Sequence, residues 1–453
     1  MCSVKEVKKY WAIDIFFSAE CNMDCEYCYI PKTAHLKTIN KEIRDNIDSG
    51  KLIENILETL RGRDKDIIEI GLWGAEPTIN TSYFGKFAND LFPKLENLNN
   101  LNFSSNCLLG PKPIANFLDE IEKYNVKYGK EISFDLQVSI DGPEWITDKS
   151  RHTGATKQIL NTVDVLHKKY MSKEYVTPFK ISFKPTISTN TMQMMVDNNK
   201  VTEWFLFFED LQNKYKDILR PKFKFYAITT PTLVTPGFAT QEDGIVLAKW
   251  LKALRELDRS KLTYYKKGHL FAQLFHRFSE RVMDPEGTFK ASNSTTCGGG
   301  DAAIALDHHG DMVMCHRMYS IIYNDDPNAR VIRKGLSTQI GEKDSITEFL
   351  DMDRFDYLLN SYHTFNVTRY GHMDLLARQL AYSGQIDKEY LDDDELRKIL
   401  VLMTDGMVCH GGSAEETTSV FIPTLSYLRV LGNGALQELI LTYNIMKGVK
   451  KDG

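Results

Sequence analysis

Three cysteines fall within eight residues, in the stretch Cys21-Asn-Met-Asp-Cys25-Glu-Tyr-Cys28. Thiolates suit iron–sulfur and zinc sites. With three residues between the first pair and two between the second, one loop can wrap a corner of a cuboidal iron–sulfur cluster. Three thiolates leave one iron of such a cluster open. A structural cluster or zinc site closes that position with a fourth ligand. No further cysteine follows immediately to close it. An open iron beside a strand end implies a bound substrate or cofactor.

Other residues with chemical capacity recur at strand ends. Gly74-Ala75-Glu76-Pro77-Thr78 opens with a glycine, which lets backbone groups approach a ligand. In Ser105-Asn106-Cys107, Asn106 either hydrogen-bonds a cofactor or holds the turn. Cys107 reads as a small buried hydrophobe. Ser139-Ile-Asp141-Gly142-Pro143 is followed by Asp148 and Arg151. A strand-end hydroxyl and a guanidinium fork suit polar and carboxylate partners. Asp141-Gly-Pro can equally be only a turn.

The elements that would position these residues alternate. β-prone runs lie at 11–17, 66–73, 101–105, 132–140, 179–187 and 222–228. Helical periodicity lies between them at 40–61, 81–99, after Pro111 and Pro113, at 154–170 and at 194–216, with Gly50 able to split the first. Six strands alternating with helices argue for a parallel α/β sheet with its site at the C-terminal strand ends. After Thr235-Pro-Gly the pattern changes. Two helices are predicted over 241–281, then a hairpin from 302–306 to 312–315 with Gly310 in its turn. His308 and His309 read as turn residues rather than metal ligands.

The C-x3-C-x2-C loop, with Tyr27 before its last cysteine, resembles the radical S-adenosylmethionine (SAM) enzymes. The resemblance implies a (β/α)6 partial TIM barrel over roughly 10–235. It also implies a [4Fe–4S] cluster on Cys21, Cys25 and Cys28 whose open iron chelates the amino and carboxylate groups of SAM. Gly74, Ala75, Glu76 and Pro77 resemble the family's Gly-Gly-Glu-Pro segment for the SAM amino group, with Ala75 in place of the second glycine. Ser105-Asn106-Cys107 is similar to Thr-Asn-Gly. The segment at Ser139 and Asp141 resembles the subgroup that modifies peptides and proteins. It implies Ser139 on the SAM ribose and Arg151 at the SAM carboxylate.

The C-terminal region resembles the SPASM and twitch domains in its opening. Cys297, Gly310 and Cys315 fit the C-x(n)-G-x4-C pattern, but the later cysteines are missing except Cys409. Either one auxiliary [4Fe–4S] cluster sits on Cys297, Cys315 and Cys409, or a decayed domain keeps its fold without iron. His316 is either a proton acceptor near neutral pH or a structural histidine. The expected division is 1–235 barrel, 236–290 helical bridge and 291–453 SPASM-like α+β domain. A strand starting near Trp11 leaves no room before it for a leader-binding domain.

Composition is that of an ordinary globular protein of 453 residues, 42% hydrophobic and 26% charged. A net charge of -5 gives no basic field for nucleic acid. No apolar run suits a membrane span, and the N-terminus lacks a secretory core. The chain is expected to be cytoplasmic, its 8 cysteines thiols and ligands rather than disulfides. The resulting expectation is a radical SAM enzyme acting on a peptide by crosslinking, oxidation or epimerisation, with an external electron donor such as flavodoxin or ferredoxin. A small-molecule or carbohydrate substrate, or an electron carrier without catalysis, are the alternatives.

Overall fold

The computed structural model describes residues 10–219 apart from 29, 31 and 61–65; residues 232–234; positions 246, 249, 250, 253 and 257–263; and residues 303–309, 312 and 313. The strand expected at 222–228, most of the helices expected over 241–281, and Cys297, Gly310, Cys315, His316 and Cys409 lie outside the described residues.

Five strands follow one another across one sheet, all parallel: β1 (Tyr10–Ser18), β2 (Ile67–Gly74), β3 (Leu98–Ser105), β4 (Ser133–Ser139) and β5 (Phe179–Lys184). Helices separate them. α1 (Ala34–Asp48) and α2 (Lys51–Thr59) lie between β1 and β2, and α3 (Thr81–Leu91) between β2 and β3. α4 (Pro111–Tyr128) leads to β4, and α5 (Glu144–Ser150) with α6 (Ala155–Met171) leads to β5. After β5 come β6 (Thr186–Ser188), α7 (Thr189–Asp197), α8 (Val201–Lys214) and β7 (Thr232–Val234), with β6 and β7 paired in parallel.

β8 (Ala303–Leu306) pairs in parallel with the free side of β1, from Ala12↔Ala303 to Ile15↔Leu306. β9 (Met312–Val313) returns antiparallel to β8, so the expected hairpin is present. The result is a parallel α/β partial barrel of six strands, β5-β4-β3-β2-β1-β8, edged by β9. Among the described residues, the sixth parallel strand of this sheet comes from the C-terminal hairpin.

Several boundaries differ from expectation for local reasons. Gly50, at φ 81°, does split the first helix. The helix expected to reach 99 stops at Leu91, and β3 starts at Leu98, earlier than its apolar run suggests. The run 179–187 breaks at Pro185, which has no N–H for a ladder. The helix expected over 194–216 is two helices, parted at Asn198–Lys200, where Asn199 takes φ 53°. α5 is a single short helix that periodicity did not reveal.

Alternation on β4 explains how the sheet holds its helices and frees its other face. Phe134, Leu136 and Val138 are buried, while Ser133, Asp135, Gln137 and Ser139 are only partly so. The buried side continues as an aromatic chain. Phe117 of α4 meets Phe17 at 6.4 Å and Phe103 at 4.7 Å; Phe103 meets Phe134 at 5.3 Å, and Phe134 meets Phe179 at 5.4 Å. Each such pair adds about 0.5–1.5 kcal/mol beyond area burial. The opposite, polar face carries Glu69, which accepts from Asn102 Nδ2 at 2.6 Å, and the facing hydroxyls of Ser104 and Ser139. No helix among the described residues is long and apolar enough to cross a membrane.

Candidate functional site

The cysteine loop leaves β1 at Ser18, at the C-terminal edge of the sheet. Its entry is fixed by buried amides. Asn80 donates to the carbonyl of Phe17 at 2.7 Å, and Asn40 of α1 accepts from the Ala19 N–H at 3.1 Å. Asn80 also donates to Asn40 at 2.9 Å, Asn40 donates to Glu20 at 2.6 Å, and Arg44 donates to Asn80 at 2.8 Å. Sequence reasoning missed Asn40 and Asn80. An asparagine in an otherwise apolar helix face was the available signal, since buried amides require partners.

Gly74 ends β2 against β1 at the same level. Its φ is 124°, and a Cβ there would lie 1.9 Å from the carbonyl oxygen of Ser18. The close approach is thus to backbone of the neighbouring strand. The N–H of Ala75 then donates to Ser18 at 2.8 Å, and that of Glu76 to Glu20 at 3.0 Å. Ala75 therefore leaves this backbone geometry intact.

The Glu76 carboxylate is buried and filled by protein donors. Oε1 accepts from Thr78 Oγ1 at 2.5 Å, Thr78 N at 3.2 Å and Ser105 Oγ at 2.9 Å; Oε2 accepts from Asn106 N at 2.8 Å. Burial pushes its pKa up, against the pull of these donors. Pro77 opens the 3-10 turn Pro77–Asn80, where its missing N–H costs nothing. Asn106 joins this strut to the cysteine loop. It donates to Asn22 Oδ1 at 2.8 Å and points at Cys21 Sγ at 3.7 Å, while its own oxygen accepts from Leu108 N. Asn106 therefore holds the turn, and it does so against the cysteine loop. Cys107 is buried, as expected, and takes the left-handed φ of 60° where the resembled family has glycine.

Asp141 is the second hub. Its oxygens accept from Arg151 Nε and Nη2, both at 2.9 Å, from Tyr27 OH at 2.7 Å and from Thr186 N at 2.9 Å. Tyr27 belongs to the cysteine loop, and its ring lies 5.8 Å from the Arg151 guanidinium. Burial pushes the Tyr27 phenol well above its usual pKa. The loop is held twice more on this side. Glu26 N donates to Ser150 O at 3.2 Å, and Ser188 Oγ donates to Glu26 Oε1 at 3.2 Å. Gly142, at φ 153°, lies so close to Trp204 that a Cβ would meet its ring at 2.7 Å. Asp148 points elsewhere. It accepts from Gly154 N and from Thr156 N at 2.8 Å, capping the start of α6.

The structure thus brings Cys21, Cys25, Cys28, Tyr27, Gly74, Ala75, Glu76, Pro77, Asn106, Asp141 and Arg151 into one connected rim. Ser139 sits at the end of β4, its hydroxyl 3.3 Å from that of Ser104. The three thiols are close enough to act on one another. Burial pushes Cys21 up to about 12, with further rises from Glu76, Cys28 and Cys25. Burial also raises Cys25 and Cys28, while Arg151 opposes the rise at both. Converging thiols whose negative forms repel one another are a donor set that a metal cation would stabilise. An all-sulfur set suits an iron–sulfur cluster.

No family model matches this sequence, and no curated protein matches it. Solved structures do share the fold. Hexahistidine-tagged anSMEcpe with bound AdoMet is similar with a TM-score of 0.53 and 14% identity, over 96% of this chain and 99% of that one. Native anSMEcpe with bound AdoMet gives 0.51 and 13%, again over 96% and 99%. Native anSMEcpe with bound AdoMet and Kp18Cys peptide gives the same values. At such identity the likeness is one of fold.

Proposed function

We propose that this chain is a radical SAM enzyme that modifies a peptide or protein. The observation that carries the reading is the three-thiol loop at the C-terminal end of β1, pinned on one side by Asn106 and on the other by Tyr27 to Asp141. The shared fold with AdoMet-bound and peptide-bound structures supports it. Cys21, Cys25 and Cys28 would hold a [4Fe–4S] cluster. Reduced by an external donor, a cluster held there would supply the electron for reductive cleavage of bound SAM.

The protein's part is to hold and orient. Glu76 and Asp141 have their oxygens filled by internal donors, so they fix the rim. The backbone of Gly74–Pro77 is the proposed partner of the SAM amino group. Ser139 is the proposed partner of its ribose, and the donors of Arg151 not given to Asp141 are the proposed partners of its carboxylate. The polar sheet face below, with Glu69, Asn102, Gln137 and Ser139, is the proposed substrate chamber.

The C-terminal part, 291–453, is proposed to be SPASM-like, with 1–235 as barrel and 236–290 as bridge. Cys297 precedes β8 by six residues and Cys315 follows β9 by two. With Cys409 they would hold one auxiliary cluster, and His316 would serve as proton acceptor. Anaerobic reconstitution under a strong reductant should yield 5′-deoxyadenosine from SAM, and joint replacement of Cys21, Cys25 and Cys28 by Ala should abolish it. Persistence of that product in the triple variant would refute the reading. Mass spectrometry of candidate peptides from neighbouring genes then identifies the substrate and bond.

A further inference from the structure

Glu42, His308 and His309 come together away from the cysteine loop. Each offers one ligand atom, and the three atoms lie within 4.8 Å of one another. His308 Nε2 is 3.2 Å from Glu42 Oε2. Two ligands on a tetrahedral zinc with bonds of ~2.0–2.1 Å stand about 3.3 Å apart, so this pair already has the spacing of a coordination edge.

We propose that these three side chains form a binding site for a divalent transition-metal ion, with zinc the ion that best suits two imidazoles and a carboxylate. The two rings are fixed by their backbone. Asn46 of α1 donates to the carbonyl of His308 at 2.8 Å, Asn55 of α2 donates to that of His309, and Asp307 accepts from His309 N at 2.8 Å. The rings lie side by side with centroids 3.9 Å apart, and Phe16 of β1 meets His308 edge-on at 6.2 Å. Preorganised ligands of this kind are what a metal site needs.

The second observation is His308 itself. Its side chain is 3% exposed, and its Nδ1 is buried with no hydrogen-bond partner among the described residues. Its other nitrogen, Nε2, is the one that lies 3.2 Å from the acceptor oxygen of Glu42. The ring therefore carries one nitrogen, Nδ1, whose hydrogen-bonding capacity the described residues do not use. Glu42 is half exposed and His309 partly so, which gives an ion a path from solvent. A bound ion would tie the β8–β9 turn to α1, and so hold the C-terminal hairpin against β1.

The test uses the full-length protein with its iron–sulfur loop reconstituted, equilibrated with zinc alone. Metal analysis should find about one zinc per chain at this three-ligand site. Cobalt(II) in its place should show ligand-field bands without thiolate charge transfer, which separates this site from the cysteines. Glu42→Gln and His309→Ala, both at partly exposed positions, should each weaken zinc at least tenfold. They should also remove the rise in unfolding temperature that zinc gives the parent protein. The proposal is overturned if the parent takes up no zinc. It is equally overturned if both variants bind zinc with parental affinity, or if the cobalt spectrum is a thiolate one. None of these outcomes depends on SAM cleavage.

Discussion

Asp141→Asn is the most direct probe of how the rim is built. The substitution keeps the shape of the side chain and removes its charge. Asp141 is fully buried and the Arg151 side chain is 5% exposed, so the guanidinium would be left without its counter-ion away from water. Whichever way the new amide turns, its NH2 faces two donors, Arg151 Nε and Tyr27 on one side or Arg151 Nη2 and Thr186 N on the other. Removing one partner of a buried pair costs about 3–5 kcal/mol. At about 2–4 °C per kcal/mol for a unit of ~150–250 residues, the unfolding temperature should fall by ~6–20 °C. Circular dichroism of anaerobically purified protein measures this. Iron content should fall as well, because Tyr27 loses the charged acceptor that ties the cysteine loop to the end of β4. Adding Arg151→Met removes the stranded charge and should restore most of the loss, since replacing both members of such a pair is often neutral. The reasoning fails if Asp141→Asn melts within about 2 °C of the parent with full iron loading, or if the double variant is no better than the single.

Gly74→Ala should cost more than ~3 kcal/mol and lower iron loading, because its Cβ would stand 1.9 Å from the Ser18 carbonyl at a φ of 124°; thermal unfolding and iron analysis check both. Asp148→Ala should cost about 1–2 kcal/mol, the usual worth of a helix cap. Burial raises the Asp148 pKa, but hydrogen bonds from Thr156 and Gly154 outweigh it and hold the group below its ordinary value. A depressed folded pKa gives stability that is complete above the unfolded value of ~3.9 and lost as pH falls below it. The difference between parent and variant should therefore shrink on titration through that window, and a difference that is constant with pH would exclude the carboxylate as its source.

What was legible in the sequence had a local cause. The alternation in β4, the φ-positive Gly50 and the cysteine spacing each act over a few residues, and each is where the chain pattern places it. What was not legible had a distant cause. Nothing near Ala12–Ile15 announces that its free edge will be covered by Ala303–Leu306, because periodicity specifies a strand and not its neighbour. Likewise His308 reads locally as a turn residue, and nothing near it announces that α1 will place Glu42 beside it. The break at Pro185 was available from the missing N–H but was hidden by the β-prone residues on either side.

The two rim acids make the same distinction at the level of function. The family resemblance gives Glu76 and Asp141 to the cofactor, as members of segments that match its motifs. A carboxylate has about four acceptor positions. Glu76 receives four donors and Asp141 receives four, all from this chain. Those donors come from the ends of different strands and from the cysteine loop, so the acids weld the rim into one piece. In the proposed reading, recognition of SAM would rest on groups with capacity left. These are the backbone around Ala75, the paired hydroxyls of Ser104 and Ser139, and the part of Arg151 not held by Asp141. A site of this kind tolerates exchange at Ala75, which contributes backbone, and resists exchange at Glu76 and Asp141, which contribute the geometry that every other contact depends on.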